Sequence, residues 1–279
     1  MSNTAKEFND KYTNANLATD ASPYDETVFH YLVRHLELVD GGAIAPVAPG
    51  IIAAMLCAQR RGDAVPKLFH DLAKVRDVEG TKILFASFKL ALDLTWPFTG
   101  LPQCIPACLG LIGELREFGI RMSNEIDRPL ITDFDWFKKG VQTNEAIYRA
   151  VGNEEVHRMM GEVFPEITYI ANVAVFGFLV GGSERTQSLP LREITIAGAI
   201  SALGATRQAK SHLKGSMGLG ISVAVIEAVL YAAEQVAKWN DIKLPGKIDV
   251  TVLAKEVEAN LGNLSRVYIG SPFRLPEKV

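Results

Sequence analysis

Apolar side chains recur every three to four residues along nearly the whole chain, which is the spacing of one face of an α-helix. The first clear case begins at Ser22-Pro23, where Ser22 is expected as the N-cap and Pro23 at the first helical position. Gly41-Gly42 is expected to end this helix. The alternation typical of a β-strand is almost absent, and its best candidate is the short segment 247–253. The sequence therefore predicts an all-α fold.

The same periodicity predicts eleven further helices. They are expected at 51–60, 65–75, 81–94, 105–118, 136–151, 153–160, 167–178, 191–203, 206–217, 222–239 and 250–260. This pattern suggests a division of the chain into a flexible N-terminal tail (1–20), a first helical unit (21–120), a linker (121–135), a second helical unit (136–245) and a C-terminal extension (246–279). Each unit is long enough to bury a core of its own.

Composition excludes several classes of function. The 279 residues carry a formal net charge of -3 and contain no polybasic run, so nucleic-acid binding is not expected. The segment 1–20 is polar and lacks the apolar core of a secretion signal. The longest apolar stretches, 97–113 and 167–182, are interrupted by prolines, glycines or polar residues, so no membrane-spanning helix is expected. We therefore expect a cytoplasmic protein.

The cysteines and histidines give no cofactor signature. Three cysteines, an odd number, argue against a disulfide framework and fit a reducing compartment. Cys104 and Cys108 have neither the redox Cys-x-x-Cys spacing nor the spacing of a metal pair, and we expect buried thiols. No metal-ligand motif, phosphate-binding loop or nucleophile elbow is found, so neither a metal nor another cofactor is expected.

One acid and one base stand out in the second half. If Glu193 is position i, His212 is position i+19, and a helix beginning near Ala205 places Ala205, Gln208 and His212 on one face. A carboxylate that holds one imidazole nitrogen fixes the tautomer and raises the basicity of the other nitrogen. Glu193 and His212 together would therefore make a general acid or base near neutral pH.

This order and spacing resemble the alkylhydroperoxidase D-like superfamily, in which a Glu precedes a Cys-x-x-Cys-x-x-x-His motif. Ala205 and Gln208 occupy the two cysteine positions here, so the resemblance is to the carboxymuconolactone decarboxylase branch and away from thiol peroxidases. The similarity extends over 137–240. It includes Lys139-Gly140, Asn144-Glu145, Arg149, Val151-Gly152, Pro165-Glu166, Val175-Phe176-Gly177, Leu189, Ala197, Ala202-Leu203-Gly204 and Gly218.

The first half is similar to a degenerate copy of this unit. His70 is followed by Gly80, a helix and the Phe98-x-Gly100-x-Pro102 sequence, which matches a Tyr-x-Gly-x-Pro element of the family. However, the position that precedes His70 by the same spacing, where the acid would be, holds Ile51. The resemblance therefore implies two tandem alkylhydroperoxidase D-like units, with His70 as a candidate substrate-binding residue of a second pocket or a structural residue.

The resemblance implies a cofactor-independent lyase that decarboxylates a small carboxylated lactone or cyclic metabolite. His212 would deliver the proton, Glu193 would orient His212, and Gln208 would hydrogen-bond the substrate carbonyl or carboxylate. Arg207 and Lys210 are candidates for anchoring the substrate anion, or they form a solvated basic face. The resemblance also implies a homo-oligomer, a trimer or a hexamer.

Alternatives remain open at this point. An isomerase or cyclase could use the same residues, and a non-catalytic ligand-binding or scaffold protein could retain the fold. Thiol peroxidase chemistry is disfavoured because it needs thiols at the positions of Ala205 and Gln208. Arg192 is expected as a surface ion-pair partner, because it adjoins Glu193 but points in a different direction on an ideal helix.

Overall fold

The computed structural model describes residues 3–123 and 125–270, and these residues are helical or irregular, without a β-strand. The all-α prediction is confirmed for this part of the chain. The α-helices are α1 Asn3–Tyr12, α2 Glu26–Leu38, α3 Ala48–Ala58, α4 Ala64–Ala73, α5 Val78–Thr99, α6 Leu101–Glu117, α7 Trp136–Tyr148, α8 Glu154–Val163, α9 Pro165–Ile170, α10 Leu189–Leu203, α11 Thr206–Gly218, α12 Val223–Trp239 and α13 Val250–Gly270. A π-helical segment, Ala171–Val180, continues directly from α9, and short 3₁₀ turns lie at Val39–Gly42, Ala45–Val47 and Gly181–Ser183.

The core is built around α3 and α10, which pack against each other. Every residue of α3 is buried, and α10 is buried continuously from Arg192 to Ala202. A helix that is apolar on all sides belongs in the interior, because it has no face to present to water. The largest cluster of buried side chains takes residues from both halves, including Ile51 and Leu56 of α3 and Ile194 and Ala197 of α10. The two halves therefore share one hydrophobic core.

Four local expectations differ from the structure. The supposed tail contains α1, and Phe8 of this helix lies under the Arg116 guanidinium of α6. Helix α2 begins after Asp25, whose carboxylate accepts the Val28 N–H, and not at Ser22. The expected strand at 247–253 is a loop followed by the first turn of α13. Helix α5 continues through Pro97 to Thr99 instead of ending at Leu94. The expected extension includes 271–279, which lie outside the described residues.

Tertiary contacts explain why the local signal at Ser22-Pro23 fails. The Ser22 carbonyl accepts a hydrogen bond from Arg61 at 2.8 Å, and the Pro23 carbonyl accepts one from the Trp239 indole, also at 2.8 Å. Both carbonyls would otherwise start the helical hydrogen-bond ladder. Because distant side chains use them, the helix starts later than the Ser-Pro pair predicts.

The π-helical segment packs unusually close to α7 through two glycines. A Cβ on Gly140 would overlap the Asn172 carbonyl, and a Cβ on Gly177 would overlap the Trp136 carbonyl. Only glycine permits backbones to approach this closely. This crossing fixes α7 against the π-helical segment, and both elements line the cavity described below.

We expect Gly140→Ala to destabilise the chain by about 1–3 kcal/mol, because the added methyl group must push two backbones apart. The free energy of unfolding in urea measures this effect. Gly161→Ala on α8 is the matched control, since a Cβ there meets nothing within 4 Å. Equal destabilisation by both substitutions would contradict a packing role for Gly140.

Among the described residues, the helical stretch Pro165–Ser183 is long and apolar enough by length and composition to cross a membrane, whereas the sequence analysis expects no membrane-spanning helix. One third of its most apolar window is buried inside the structure. Length and composition alone are weak evidence for a span, because a core helix passes the same test. The contacts with α7 at Gly140 and Gly177 show that one side of this stretch is a protein-packed surface.

Candidate active site

Helices α10 and α11 bring the predicted acid and base together. His212 Nδ1 lies 2.7 Å from Glu193 Oε1, a hydrogen-bond distance. The Glu193 side chain is fully buried, and the His212 side chain is 5% exposed. Between these two residues the chain runs along the rest of α10, around the turn at Gly204 and into the second turn of α11. The geometry assigned to Glu193 and His212 from sequence is therefore present in the fold.

A third residue completes the hydrogen-bonded chain. The Tyr148 hydroxyl, at the end of α7, lies 3.1 Å from His212 Nε2. If the Nδ1–H donates to the Glu193 carboxylate, then Nε2 is the free acceptor and the Tyr148 O–H donates to it. Tyr148, His212 and Glu193 thus form a continuous path for a proton from the cavity to a buried carboxylate.

Aromatic rings hold the imidazole in place. Phe98, from α5 in the first half of the chain, meets the His212 ring edge-on at 5.4 Å between centroids. The Tyr148 ring is also edge-on to His212, at 5.7 Å. His157 and Phe176 pack against the other sides of Tyr148. Because Phe98 belongs to the first half, the site of the second half is completed by the first.

Burial sets the protonation of the two acidic groups. Burial raises the pKa of Glu193, and the neighbouring His212 opposes that rise. Burial also raises the pKa of Tyr148 above that of an ordinary phenol, and the charge of Glu193 adds to the increase. The second carboxylate oxygen of Glu193, Oε2, is buried without a hydrogen-bond partner among the described residues. The phenol is therefore neutral and able to donate at neutral pH, whereas the carboxylate is costly to keep ionised.

Glu193→Gln should change stability in a pH-dependent way. A carboxyl group whose pKa is raised by folding stabilises the folded state most when it is protonated, so its contribution falls as pH rises from about 4.3 through the raised pKa. Glutamine does not titrate. We therefore expect the free energy of unfolding of wild type, relative to Glu193→Gln, to decrease as the pH rises above about 4.3 and to level off once the pH has passed the raised pKa, by about 1.4 kcal/mol in total for each unit of the pKa rise. Urea unfolding of both proteins measures this difference, and a constant difference across the range would contradict it.

The hydrogen-bonded chain opens onto a cavity of about 650 Å³. Its lining comprises Val141, Asn144, Glu145, Tyr148, Val151, Gly152, Asn153, Val156, His157, Met160, Ile167, Thr168, Ala171, Asn172, Phe176, Arg207, Gln208, Lys210, Ser211, His212, Lys214, Leu253 and Glu256. A volume of this size accommodates a small organic ligand. The wall is mixed: apolar side chains of α7, α8 and the π-helical segment face polar groups of α11.

The predicted binding residues divide into two sets. Gln208, Arg207 and Lys210 line the same cavity as His212, and in the described part of the chain none of their side chains has a hydrogen-bond or ion-pair partner. Lys214, in contrast, is held by the Val151 carbonyl and Glu256. His70 does not reach this cavity. Its imidazole is paired with Glu114 at 2.8 Å on the α4–α6 surface, because the helix that carries it belongs to the other half of the core.

Arg192 is a correction to the sequence analysis. It was expected on the surface, but its residue exposure is 4%, and its guanidinium donates to the Val180 carbonyl. Arg128 donates to the neighbouring Phe178 carbonyl at 2.5 Å, so two arginines satisfy the carbonyls at the end of the π-helical segment. Burial lowers the pKa of Arg192 to about 10. The residue has a structural role because α10 has no exposed face at this point.

Two residues that contact His212 in the candidate site are not predicted from the sequence. Tyr148 belongs to α7 and is far from His212 along the chain. In this segment the resemblance to the family rests on Asn144-Glu145 and Arg149 and does not include Tyr148. Phe98 stands out in the sequence only as part of Phe98-x-Gly100-x-Pro102. The aromatic residue at that position is the available signal, because it matches an element of the family that the sequence resembles, but nothing local indicates contact with the opposite half.

Comparisons of the chain with models of protein families, with curated proteins and with solved structures found no match.

Proposed function

We propose that this chain is a cofactor-independent lyase that decarboxylates a small carboxylated lactone or cyclic metabolite by general acid–base catalysis. The observation that carries the proposal is the Tyr148–His212–Glu193 chain, which ends in a cavity large enough for such a substrate. Loss of CO₂ leaves a carbanion that the conjugated carbonyl of the substrate delocalises as an enolate. The protein then has to stabilise the enolate oxygen and return a proton to carbon.

Each residue has a role in this proposal. The Tyr148 phenol, neutral and directed at His212, delivers the proton at the cavity wall. The phenolate left on Tyr148 is restored by a proton that His212 Nε2 takes up from solvent and passes on, and Glu193 stabilises the imidazolium that exists between these two transfers. The Gln208 amide, which has no partner in the described residues, donates to the substrate oxygen. Arg207 and Lys210 attract the substrate carboxylate at the exposed edge of α11.

The halves of the chain support tandem units of the alkylhydroperoxidase D-like type. The difference in residue number between His70 and His212 also relates three consecutive helices of the two halves. When it is added to the first residues of α3, α4 and α5, the results lie close to the first residues of α10, α11 and α12. Under the same offset Ile51 corresponds to Glu193, so only the second unit has the carboxylate on this helix. We propose that the first unit lost the acid and now contributes Phe98 to the site of the second.

Assembly into a trimer or hexamer is part of this proposal. Helices α8 and α9 have no buried residue, and the exposed apolar side chains here are Val163, Ile167 and Ile170 on the helices and Phe164 between them. Neighbouring copies would cover such apolar surface. Light scattering of the purified chain measures the mass directly, and a monomer at micromolar concentration would overturn this part.

The function is tested by CO₂ release and product NMR with γ-carboxymuconolactone, using wild type and His212→Ala. Turnover by wild type that is lost in the variant supports decarboxylation with His212 in the proton path. Turnover unchanged by His212→Ala would overturn the assignment. A rearranged product without CO₂ would indicate an isomerase or cyclase, because the same proton path serves both reactions. Saturable binding without any product would indicate a ligand-binding protein.

Thiol peroxidase chemistry has no support at this site. Ala205 and Gln208 stand at the two thiol positions, and none of the three cysteines lines the cavity. Cys57 and Cys104 are buried in the first half, and Cys108 is half-buried. A peroxide in the cavity would contact the phenol of Tyr148 and the amide of Gln208, and it would meet no thiolate that could attack its O–O bond.

A further inference from the structure

A second cluster of ionisable side chains lies on the first half, on the surface between α4 and α6. His70 Nδ1 is 2.8 Å from Glu114 Oε2, and Glu117 follows Glu114 by one helical turn. One donor atom from each of the three residues lies within 4.8 Å of the other two. Phe118 packs against the His70 ring at 5.5 Å and restricts its orientation.

The charges in this cluster are not balanced by basic side chains. Among the described residues neither Glu114 nor Glu117 forms an ion pair with lysine or arginine, and Arg116 between them is directed at the Phe8 ring. Glu114 is nevertheless 4% exposed, so its carboxylate is buried beside a single imidazole. Buried carboxylates are normally paired with a cation or coordinate a metal ion.

The neighbouring acidic cluster shows what a balanced arrangement looks like. Glu26, His30 and Asp71 are also close enough to share an ion. There, however, the Lys74 ammonium contacts Glu26 at 2.8 Å and Asp71 at 3.0 Å. In that cluster the Lys74 ammonium lies where a metal ion would bind. Among the described residues, no lysine pairs with the carboxylates beside His70.

We propose that His70, Glu114 and Glu117 bind a divalent transition-metal ion, with Zn²⁺ as the best match. One imidazole and two carboxylates are donors that zinc accepts, and a tetrahedral ion with bonds of about 2.1 Å separates its ligands by roughly 3.4 Å. The donor separations in the cluster are compatible with this value: His70 Nδ1 and Glu114 Oε2 are 2.8 Å apart, and no two of the three donor atoms are more than 4.8 Å apart. The His70 side chain is 40% exposed, which leaves a coordination position for water.

This site is separate from the proposed active site and does not depend on the proposed lyase activity. His70 corresponds to His212 in the repeat, but its carboxylates come from α6, and α6 does not line the cavity of His212. The first unit would thus have exchanged an acid–base histidine for a metal-binding one. The ion would also neutralise the buried Glu114 carboxylate.

The test is titration of the metal-free, full-length protein with Zn²⁺ by calorimetry, with histidine NMR to identify the ligating ring. We expect one equivalent to bind and the His70 signals to shift. Glu117→Gln removes one ligand at an exposed position without disturbing the core, and we expect at least a tenfold loss of affinity. Glu79→Gln, an exposed change on α5, is the matched control and should bind as wild type does.

Other outcomes are equally decisive. Absence of stoichiometric Zn²⁺ binding by wild type would overturn the proposal, as would affinity unchanged by Glu117→Gln. Binding that shifts the His30 signals and not those of His70 would also overturn it. His70→Ala serves as a second variant, with circular dichroism to establish that it folds, because it leaves Glu114 buried without its partner. Parallel titration with Mg²⁺, which prefers an all-oxygen octahedral shell, should give weaker binding than Zn²⁺.

Discussion

Replacing Tyr148 with phenylalanine is expected to lower kcat for the proposed decarboxylation by a factor of about 10² to 10⁴, the usual contribution of a positioned proton donor. The ring and its contacts with His157 and Phe176 remain, so KM should change little. Steady-state kinetics with γ-carboxymuconolactone, or with whichever substrate is turned over, measures both constants. Tyr169→Phe is the matched control, because Tyr169 is 59% exposed and lies outside the cavity lining.

The reason for this large effect is the position of the phenol. The side chain of His212 is almost inaccessible, and its Nε2 faces the Tyr148 hydroxyl. A substrate in the cavity therefore meets the phenol before it meets the imidazole. Because burial and the charge of Glu193 raise the pKa of Tyr148, the phenol keeps its proton throughout the neutral range. Loss of activity through phenol ionisation is expected only above about pH 10, the ordinary value for tyrosine.

A second readout of Tyr148→Phe needs no substrate. The hydroxyl donates to His212 Nε2 only if Nδ1 carries the imidazole proton, so its removal should shift the ¹⁵N resonances of His212. Unchanged ¹⁵N resonances would show that the two groups are not hydrogen-bonded. Unchanged kcat together with shifted resonances would leave the hydrogen bond in place and remove Tyr148 from the catalytic path.

The sequence predicted the part of the site that is local in the chain. Glu193 and His212 lie on consecutive helices joined by a tight turn, and helical geometry largely determines the distance between residues in such an arrangement. Gln208, Arg207 and Lys210 line the same cavity for the same reason, since they share a helix with His212. Local spacing is sufficient here because the backbone between these residues is helical except at the short turn between α10 and α11.

Residues from distant segments could not be placed in this way. Tyr148 and Phe98 reach His212 from α7 and from the first half, and their positions depend on how whole helices pack. The burial of Arg192 shows the same limit. On an isolated helix Arg192 points in a different direction from Glu193, but α10 is enclosed on all sides here, so both side chains are buried. Single-helix periodicity carries no information about how many neighbours a helix will have.

Asp63→Ala is expected to destabilise the chain by about 3–5 kcal/mol, because it leaves a buried arginine without its counter-ion. Asp63 accepts hydrogen bonds from Arg61 Nε at 2.9 Å and from Nη2 at 3.0 Å, and both residues are at most 4% exposed. The free energy of unfolding in urea measures the loss. Lys67→Ala is the control: its ammonium is 3.9 Å from Asp63 and 37% of its side chain is exposed, so less than about 1 kcal/mol is expected.

This effect should exceed that of an ordinary ion pair because Arg61 joins the two halves of the chain. Its guanidinium also donates to Asn240 at 3.1 Å, and it lies 4.3 Å from the centre of the Trp239 ring on α12. Asn240 in turn donates to the Gln59 carbonyl, and Gln59 donates to the Ala202 carbonyl at the end of α10. In Asp63→Ala the remaining partners of Arg61 are neutral, so the buried guanidinium charge is no longer compensated. This cost should weaken the contacts between Arg61, Asn240 and Gln59 that join the two halves beside α10. A loss of less than about 1 kcal/mol, the range of an exposed ion pair, would contradict this prediction. It would mean that water reaches the Arg61 guanidinium, and that the contacts of Arg61 between the two halves contribute far less to stability than their burial indicates.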